Sequence, residues 1–182
     1  MRVVTGTAKG RRLETPPGQD TRPTSARVKE AVFSIIQFEV EGARVLDLFA
    51  GSGQMGIEAL SRGARSCVFV DQSKASQTVL RRNLSHTRLG ENARLVSADV
   101  LSYLAGAKEP VDIAFVDPPY REGLLPAVLK GLSGLVSEGG AVLCETAKGE
   151  PLPAQVGKLG LHRRYAYGKT QITVYRSGAW EE

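Results

Sequence analysis

Cysteine is scarce in this chain of 182 residues, which holds two, Cys67 and Cys144, each inside an apolar run that reads as a core strand. That placement is poor for a disulfide framework or a metal site and fits buried thiols in a reducing compartment. Nothing in the sequence implies a metal. Long apolar runs are also missing: no stretch approaches the roughly 20 apolar residues that a membrane span needs. The opening residues MRVVTGTAKG contain no apolar signal core. The expectation is a cytoplasmic protein with no membrane partner.

What is present is the composition of one ordinary globule, with 42% apolar residues. The length suits a single domain over 1–182, divided into a basic N-terminal arm (1–23) and a catalytic core (24–182). Charge is concentrated at the two ends. Residues 1–30 carry a net +4 and residues 158–176 a net +5, whereas 31–157 carry −2. Such a layout suits a polyanion held through phosphate contacts, or else a solvated basic surface.

In the arm, Gly6, Gly10, Pro16, Pro17, Gly18 and Pro23 interrupt any helix and leave room for one β-hairpin. Lys9, Arg11, Arg12 and Arg22 make it the candidate phosphate grip, with a solvated tail as the alternative. From Thr24 the period changes. Val28, Val32, Ile35 and Ile36 share a helical face, Thr24 or Ser25 is available as N-cap, and Gly42 lies past the end.

Next, Arg44-Val45-Leu46-Asp47-Leu48-Phe49-Ala50-Gly51-Ser52-Gly53 reads as a strand entering a glycine turn, followed by a helix that Gly63 closes. Glycines in such a turn let the backbone approach a ligand closely. Asp47 would repel a phosphate there and would stabilise an ammonium or a sulfonium. The strand Ser66–Val70 ends in Asp71, 20 residues after Gly51, where doubly wound folds place an acid on ribose hydroxyls. Ser73 caps a helix running to Gly90, on which His86 is a surface residue. A strand Ala93–Val96 leads to Asp99, which either accepts an adenine amino hydrogen or caps the turn Leu101–Leu104.

The fourth strand, Asp112–Val116, delivers Asp117-Pro118-Pro119-Tyr120. A carboxylate, two ring-locked residues and an aromatic form a platform for a flat, amine-bearing ring. A helix through Leu124, Val128, Leu132 and Leu135, a Gly139-Gly140 turn and the strand Ala141–Glu145 follow. Alternating strands and helices indicate an α/β fold with a parallel sheet. The tail reads as a hairpin, Leu159–Tyr167 and Thr170–Tyr175, joined at Gly168-Lys169. Its basic residues, with Tyr165 and Tyr167, either reach toward RNA or simply pack on the sheet.

With DLFAGSG, Asp71, Asp99 and DPPY in place, the chain resembles class I S-adenosylmethionine-dependent amino-methyltransferases of Rossmann-like fold. RPTSARVKEAVFSII and the closing KTQITVYR make it similar to the RsmD-type family of 16S rRNA guanine-N2 methyltransferases. It departs from that family's pattern at Ser25-Ala26, where an acid is usual, and at Lys29, where Arg is usual. The resemblance implies a seven-stranded, mostly parallel sheet with helices on both faces and an antiparallel C-terminal hairpin.

The same resemblance implies S-adenosyl-L-methionine as cofactor, held by Arg22, Thr24, Asp47, Phe49, Ala50, Gly51, Ser52, Gly53, Asp71, Gln72, Asp99 and Val100. Asp117, Pro118, Pro119 and Tyr120 become the catalytic set. Lys9, Arg11, Arg12 and Arg22 would hold 16S rRNA or the small ribosomal subunit, with the protein acting as a monomer. Two alternatives stay open: methylation of adenine or cytosine amines in DNA or other RNA, and a catalytically silent RNA-binding domain on the same fold.

Overall fold

The computed structural model describes residues 1–17, 25–119 and 123–178. Arg22, Thr24 and Tyr120 therefore lie outside the described residues. The apolar runs become β1 (Arg44–Leu48), β2 (Ser66–Val70), β3 (Ala93–Val96), β4 (Val111–Val116) and β5 (Val136–Ala147). Helices α1 (Ala26–Ile35), α2 (Gln54–Ser61), α3 (Lys74–Thr87), α4 (Val100–Gly106) and α5 (Leu124–Ser133) precede or link them. The chain then folds back through β6 (Gln155–Val156), β7 (Leu159–Tyr167) and β8 (Thr170–Ser177).

The strands form one sheet in the order β3-β2-β1-β4-β5-β8-β7-β6. The first five are parallel and β8 runs antiparallel to β5. The strand order reverses between β1 and β4, and ligands of open α/β sheets bind beyond the carboxyl ends of the strands at such a point.

Side chains alternate between the two faces of a strand, and here both faces are covered. Val45, Phe69, Phe115 and Leu143 pack on one face with α1, α2, α3 and the N-terminal arm. Leu46, Val70, Val116 and Cys144 pack on the other with α4 and α5. By the same alternation Asp47, Asp71, Asp117 and Glu145 belong to the arm-covered face.

Three expectations are corrected. The sheet has eight strands among the described residues, not seven, because Gly157 (φ 56°) turns residues 155–156 back onto β7. A two-residue pairing leaves no period to read. Gly139-Gly140 is not a turn before β5 but lies inside it. Val111 faces Val136 while Ile113 faces Ala141, so extra residues are looped out of register. A Cβ on Gly140 would come within 2.8 Å of the Asp112 carbonyl oxygen, so a side chain does not fit this bulge. Helix α3 stops at Arg88, which takes the left-handed cap (φ 59°), and Gly90 instead opens a short 3-10 turn, Gly90–Asn92.

The arm is docked on the core, which sets aside the alternative of a solvated tail. It closes a single antiparallel bridge, Arg2 to Arg12, and buries Val3, Ala8 and Leu13 in the core. Both carboxylate oxygens of Glu58, on α2, accept the Val4 N–H at 3.0 Å. Ser61 Oγ accepts the Ala8 N–H, and Asn83 on α3 accepts the Glu14 N–H and donates to its carbonyl. Lys29, one of the two departures from the family pattern, is 1% exposed and donates from Nζ to the Arg2 carbonyl at 2.7 Å. Ser25, the other, is the N-cap of α1 and accepts from Val28 N.

Candidate active site at the carboxyl edge of the sheet

The loop from β1 to α2 is built for close approach. Phe49 holds a left-handed backbone (φ 59°), as do Gly51 (φ 55°) and Gly53 (φ 80°). A non-glycine residue in that region is uncommon and costs about 1–2 kcal/mol, and such strain clusters at ligand-binding positions. Nothing lies within 4 Å of where a Gly51 Cβ would be, so the backbone there faces open space. A Cβ on Gly53 would strike Leu80 Cδ1 at 2.1 Å. Gly53 also caps α2 without a side-chain bond, which leaves the positive end of that helix facing the loop.

Asp71 ties the loop to the next strand. Its Oδ2 accepts the Gly51 N–H and its Oδ1 the Ser73 N–H, each at 2.8 Å. A carboxylate offers about four lone-pair sites, so two positions remain for a ligand's hydroxyls. Gln77 Nε2 donates to the carbonyls of Asp71 and Val96, clamping the ends of β2 and β3. Gln72 is exposed, and Ala50 and Ser52 are buried. Asp99 is exposed and caps α4, accepting the Ser102 N–H at 3.0 Å. The capping alternative is thus observed, and Asp99's other oxygen is compatible with the ligand role. Val100 packs into the core on the α4–α5 side.

Asp47 lies beneath the loop, 4% exposed, and its Oδ2 accepts the Gly56 N–H on the first turn of α2 at 2.9 Å. Burial pushes its pKa up to about 8, the Gly56 bond opposes this, and the Asp71 charge adds to it. Asp47 is therefore the floor of the loop rather than an open wall.

Beyond β4, Asp117 and Pro119 are exposed and Pro118 is half-buried. Although Asp117 as a residue opens to solvent, its carboxyl is crowded by protein atoms. That desolvation, followed by the charges of Glu145 and then Asp47, raises its pKa well above the ordinary carboxylate range. Glu145 escaped the sequence reading, yet its signal matches that of Asp71 and Asp117: an apolar run that ends in an acid.

The basic candidates do not join this cluster. The Arg11 guanidinium donates to the His86 carbonyl at 2.8 Å, near the end of α3, and Gly6 to Ala8 lie against Ser61 at the end of α2. Both helices run back from the carboxyl edge, so Lys9, Arg11 and Arg12 lie toward the opposite edge from Asp117. There a recess of about 510 Å³ is lined by Gly10, Arg11, Arg12, Glu14, Asn83 and His86. The tip of the C-terminal hairpin is at the carboxyl edge. Thr170 pairs with Ala147, and Lys148 N donates to the Lys169 carbonyl. Half-buried Tyr165 and Tyr167 pack against the arm-covered core, and the Arg163 guanidinium stacks over Tyr165 at 5.2 Å.

Among the described residues no group of three or more His, Cys, Asp or Glu is placed to hold a metal ion, and no helix is long and apolar enough to cross a membrane. The edge thus offers a glycine turn held by a strained Phe49, a helix N-terminus and several carboxylates. Such a donor set suits a ligand bearing hydroxyls and a positive charge, beside an amine.

Residues 1–176 match the family model described as "Conserved hypothetical protein 95". A Bacillus subtilis protein, YlbH, provisionally named an rRNA methyltransferase, is 42% identical to the chain over 182 residues, covering 97% of this chain and 98% of the relative. Ribosomal RNA small subunit methyltransferase D of Escherichia coli K12 is 34% identical, covering 100% and 92%. Among solved structures, that of yhhF from Escherichia coli, provisionally named a methyltransferase, superposes with a TM-score of 0.88 at 35% identity over 99% of both chains.

Proposed function

The chain belongs to the RsmD-type family described as conserved hypothetical protein 95, and from that premise we propose that it methylates the exocyclic N2 amine of a guanine in 16S ribosomal RNA. The methyl donor is S-adenosyl-L-methionine, and the protein acts in the cytoplasm as a single-domain monomer on the RNA or the small subunit. One observation carries the reading. Asp117-Pro118 stands at the end of β4, next to β1, whose glycine turn and Asp71 partner share the same edge and the same face.

The residues present fit the donor. Asp71 has acceptor capacity left for ribose hydroxyls, Gly51 faces open space, and Asp47, once ionised above about pH 8, favours a cationic centre. Asp99 would take an adenine amino hydrogen, and Phe49 to Gly53, Gln72 and the backbone of Val100 would line the rest of the donor's seat. Arg22 and Thr24, just ahead of α1, are assigned to the same ligand. When bound, S-adenosylmethionine supplies a methyl on a sulfonium: the S–C bond breaks, the N–C bond forms, and neutral S-adenosylhomocysteine remains.

The chain's own residues make the amine able to react. A ring amine is a poor nucleophile because its lone pair is delocalised. The Asp117 carboxylate and the Pro118 carbonyl accept its two hydrogens, which localises the lone pair and aims it. Orientation and fixed dipoles then supply the rate. The Asp117 carboxylate takes the proton released from nitrogen, a role its raised pKa favours. Pro118 and Pro119 fix the backbone and offer no competing N–H, and Tyr120 stacks on the base. The base leaves its helix to reach this pocket, unless the RNA is already unpaired there.

Lys9, Arg11, Arg12 and Arg22 hold phosphates, with the hairpin's Arg163, Lys169, Tyr165 and Tyr167 on the other flank. The test is Asp117→Ala. Transfer should fall at least about a hundredfold while S-adenosylmethionine binds within a fewfold of wild type, by calorimetry. An equal loss of cofactor binding would contradict the assignment.

A further inference from the structure

Among the described residues, Glu145 is a carboxylate of the edge that the reaction as drawn leaves without a task. Val116 lies opposite Cys144 in the parallel β4–β5 ladder, so one residue further along each strand brings Asp117 beside Glu145. Neighbouring strands are about 4.8 Å apart. Val116 and Cys144 both face the α4–α5 core, and alternation sends the next residue of each strand to the other face, with Asp117. Glu145 is half-buried, and its charge is the second-largest cause of the raised Asp117 pKa, after desolvation and ahead of Asp47. Placement and electrostatics agree that the two carboxyls look into one space.

We propose that Glu145 reads the ring N1–H next to the amine held by Asp117, and so selects guanine over adenine and cytosine. The inference rests on the methyltransfer reading above and deepens it. An ionised carboxylate only accepts hydrogen bonds. Guanine presents two kinds of donor side by side on its Watson–Crick edge, the amino hydrogens and N1–H. Adenine and cytosine present an amine beside a bare ring nitrogen, whose lone pair would face the Glu145 carboxylate. An enzyme that reads an extruded base does so along this edge. Asp117 and Pro118 thus serve any base amine, and Glu145 adds the discrimination. A site built to bond a substrate N–H rejects an analogue that lacks it more strongly than an apolar pocket rejects a change of size.

The experiment uses 2-aminopurine, which keeps the amine of guanine and has no hydrogen on N1. The wild-type protein first marks its target guanosine in small ribosomal subunits with methyl-labelled S-adenosylmethionine. RNA carrying guanosine or 2-aminopurine at that position is then compared for wild type and Glu145→Gln. The variant keeps the shape of the side chain, removes its charge and can turn its amide N–H toward a bare N1. Wild type should prefer guanosine on the order of a hundredfold, and the variant less than about tenfold, through slower guanosine transfer. S-adenosylmethionine affinity and Tm should stay close to wild type. A preference unchanged in Glu145→Gln, with wild type methylating guanosine, would overturn the role of Glu145 alone. Wild-type label in adenosine or cytidine, or in no RNA base, would overturn both this inference and the reading it rests on.

Discussion

Asp47 is a carboxyl group that the fold keeps dry under the glycine turn. With its pKa pushed to about 8, against about 4 in an unfolded chain, the folded state holds a proton that the unfolded state releases over that window. Its contribution to stability is full below about pH 4 and is lost as pH rises through about 8. Asp47→Asn keeps an acceptor for the Gly56 N–H and removes the titration. The variant should therefore melt increasingly above wild type from pH 5 to pH 8, with no further gain beyond; parallel Tm profiles would refute the burial argument. The same substitution should weaken S-adenosylmethionine binding on the order of tenfold at pH 8.5, where wild-type Asp47 is ionised, and less at pH 6.5. Asp47 was legible because it stands just ahead of the glycine turn, and Asp71 and Asp117 because each ends an apolar run. Glu145 has that signal too, but its importance comes from its neighbour Asp117, and strand pairing is not written in local sequence. The left-handed Phe49 was illegible because the turn imposes it against the residue's own preference.

At the scale of elements, the arm illustrates what composition can and cannot specify. Its glycines and prolines correctly indicate irregular chain. Its docking depends on partners 53 to 69 residues away, on α2 and α3, and no local period records these. Glu58 is 0% exposed, bonded to Val4 N and paired with Arg62, and Arg62 in turn lies over the Phe33 ring. Glu58→Ala leaves Arg62 and a backbone N–H without that partner, so it should cost about 3 kcal/mol in chemical unfolding. It should also speed hydrogen exchange at Val4 and Ala8; unchanged exchange there would mean that the arm is held by its apolar residues alone. A docked arm presents its charges in one place. Neutralising Lys9, Arg11 and Arg12 together should then weaken RNA binding and reduce the slope of log K against log salt by up to about three. An unchanged slope would remove the arm from the RNA interface. The glycine bulge in β5 and the two-residue β6 were missed for the same reason as the docking: both are defined by a pairing partner.

For the whole molecule, the strand order turns a linear pattern into a site. Asp47, Asp71 and Asp117 are spread over 71 positions of sequence, yet β2-β1-β4 are consecutive strands. The alternation of strands and helices was readable throughout, and so was the final hairpin, because each element carries its own period and its own turn. The basic tip of the hairpin lies at the acidic edge, whereas Lys9, Arg11 and Arg12 lie toward the opposite edge, so the two basic ends are set apart on the molecule. The central claim is that this edge methylates a guanine amine in small-subunit rRNA. The direct measurement is transfer of labelled methyl from S-adenosylmethionine, with purified protein offered small ribosomal subunits, naked 16S rRNA, duplex DNA and protein, followed by nucleoside analysis. Label recovered as N2-methylguanosine from 16S rRNA is the predicted result, and label found only in DNA, or in a nucleoside other than guanosine, would contradict it.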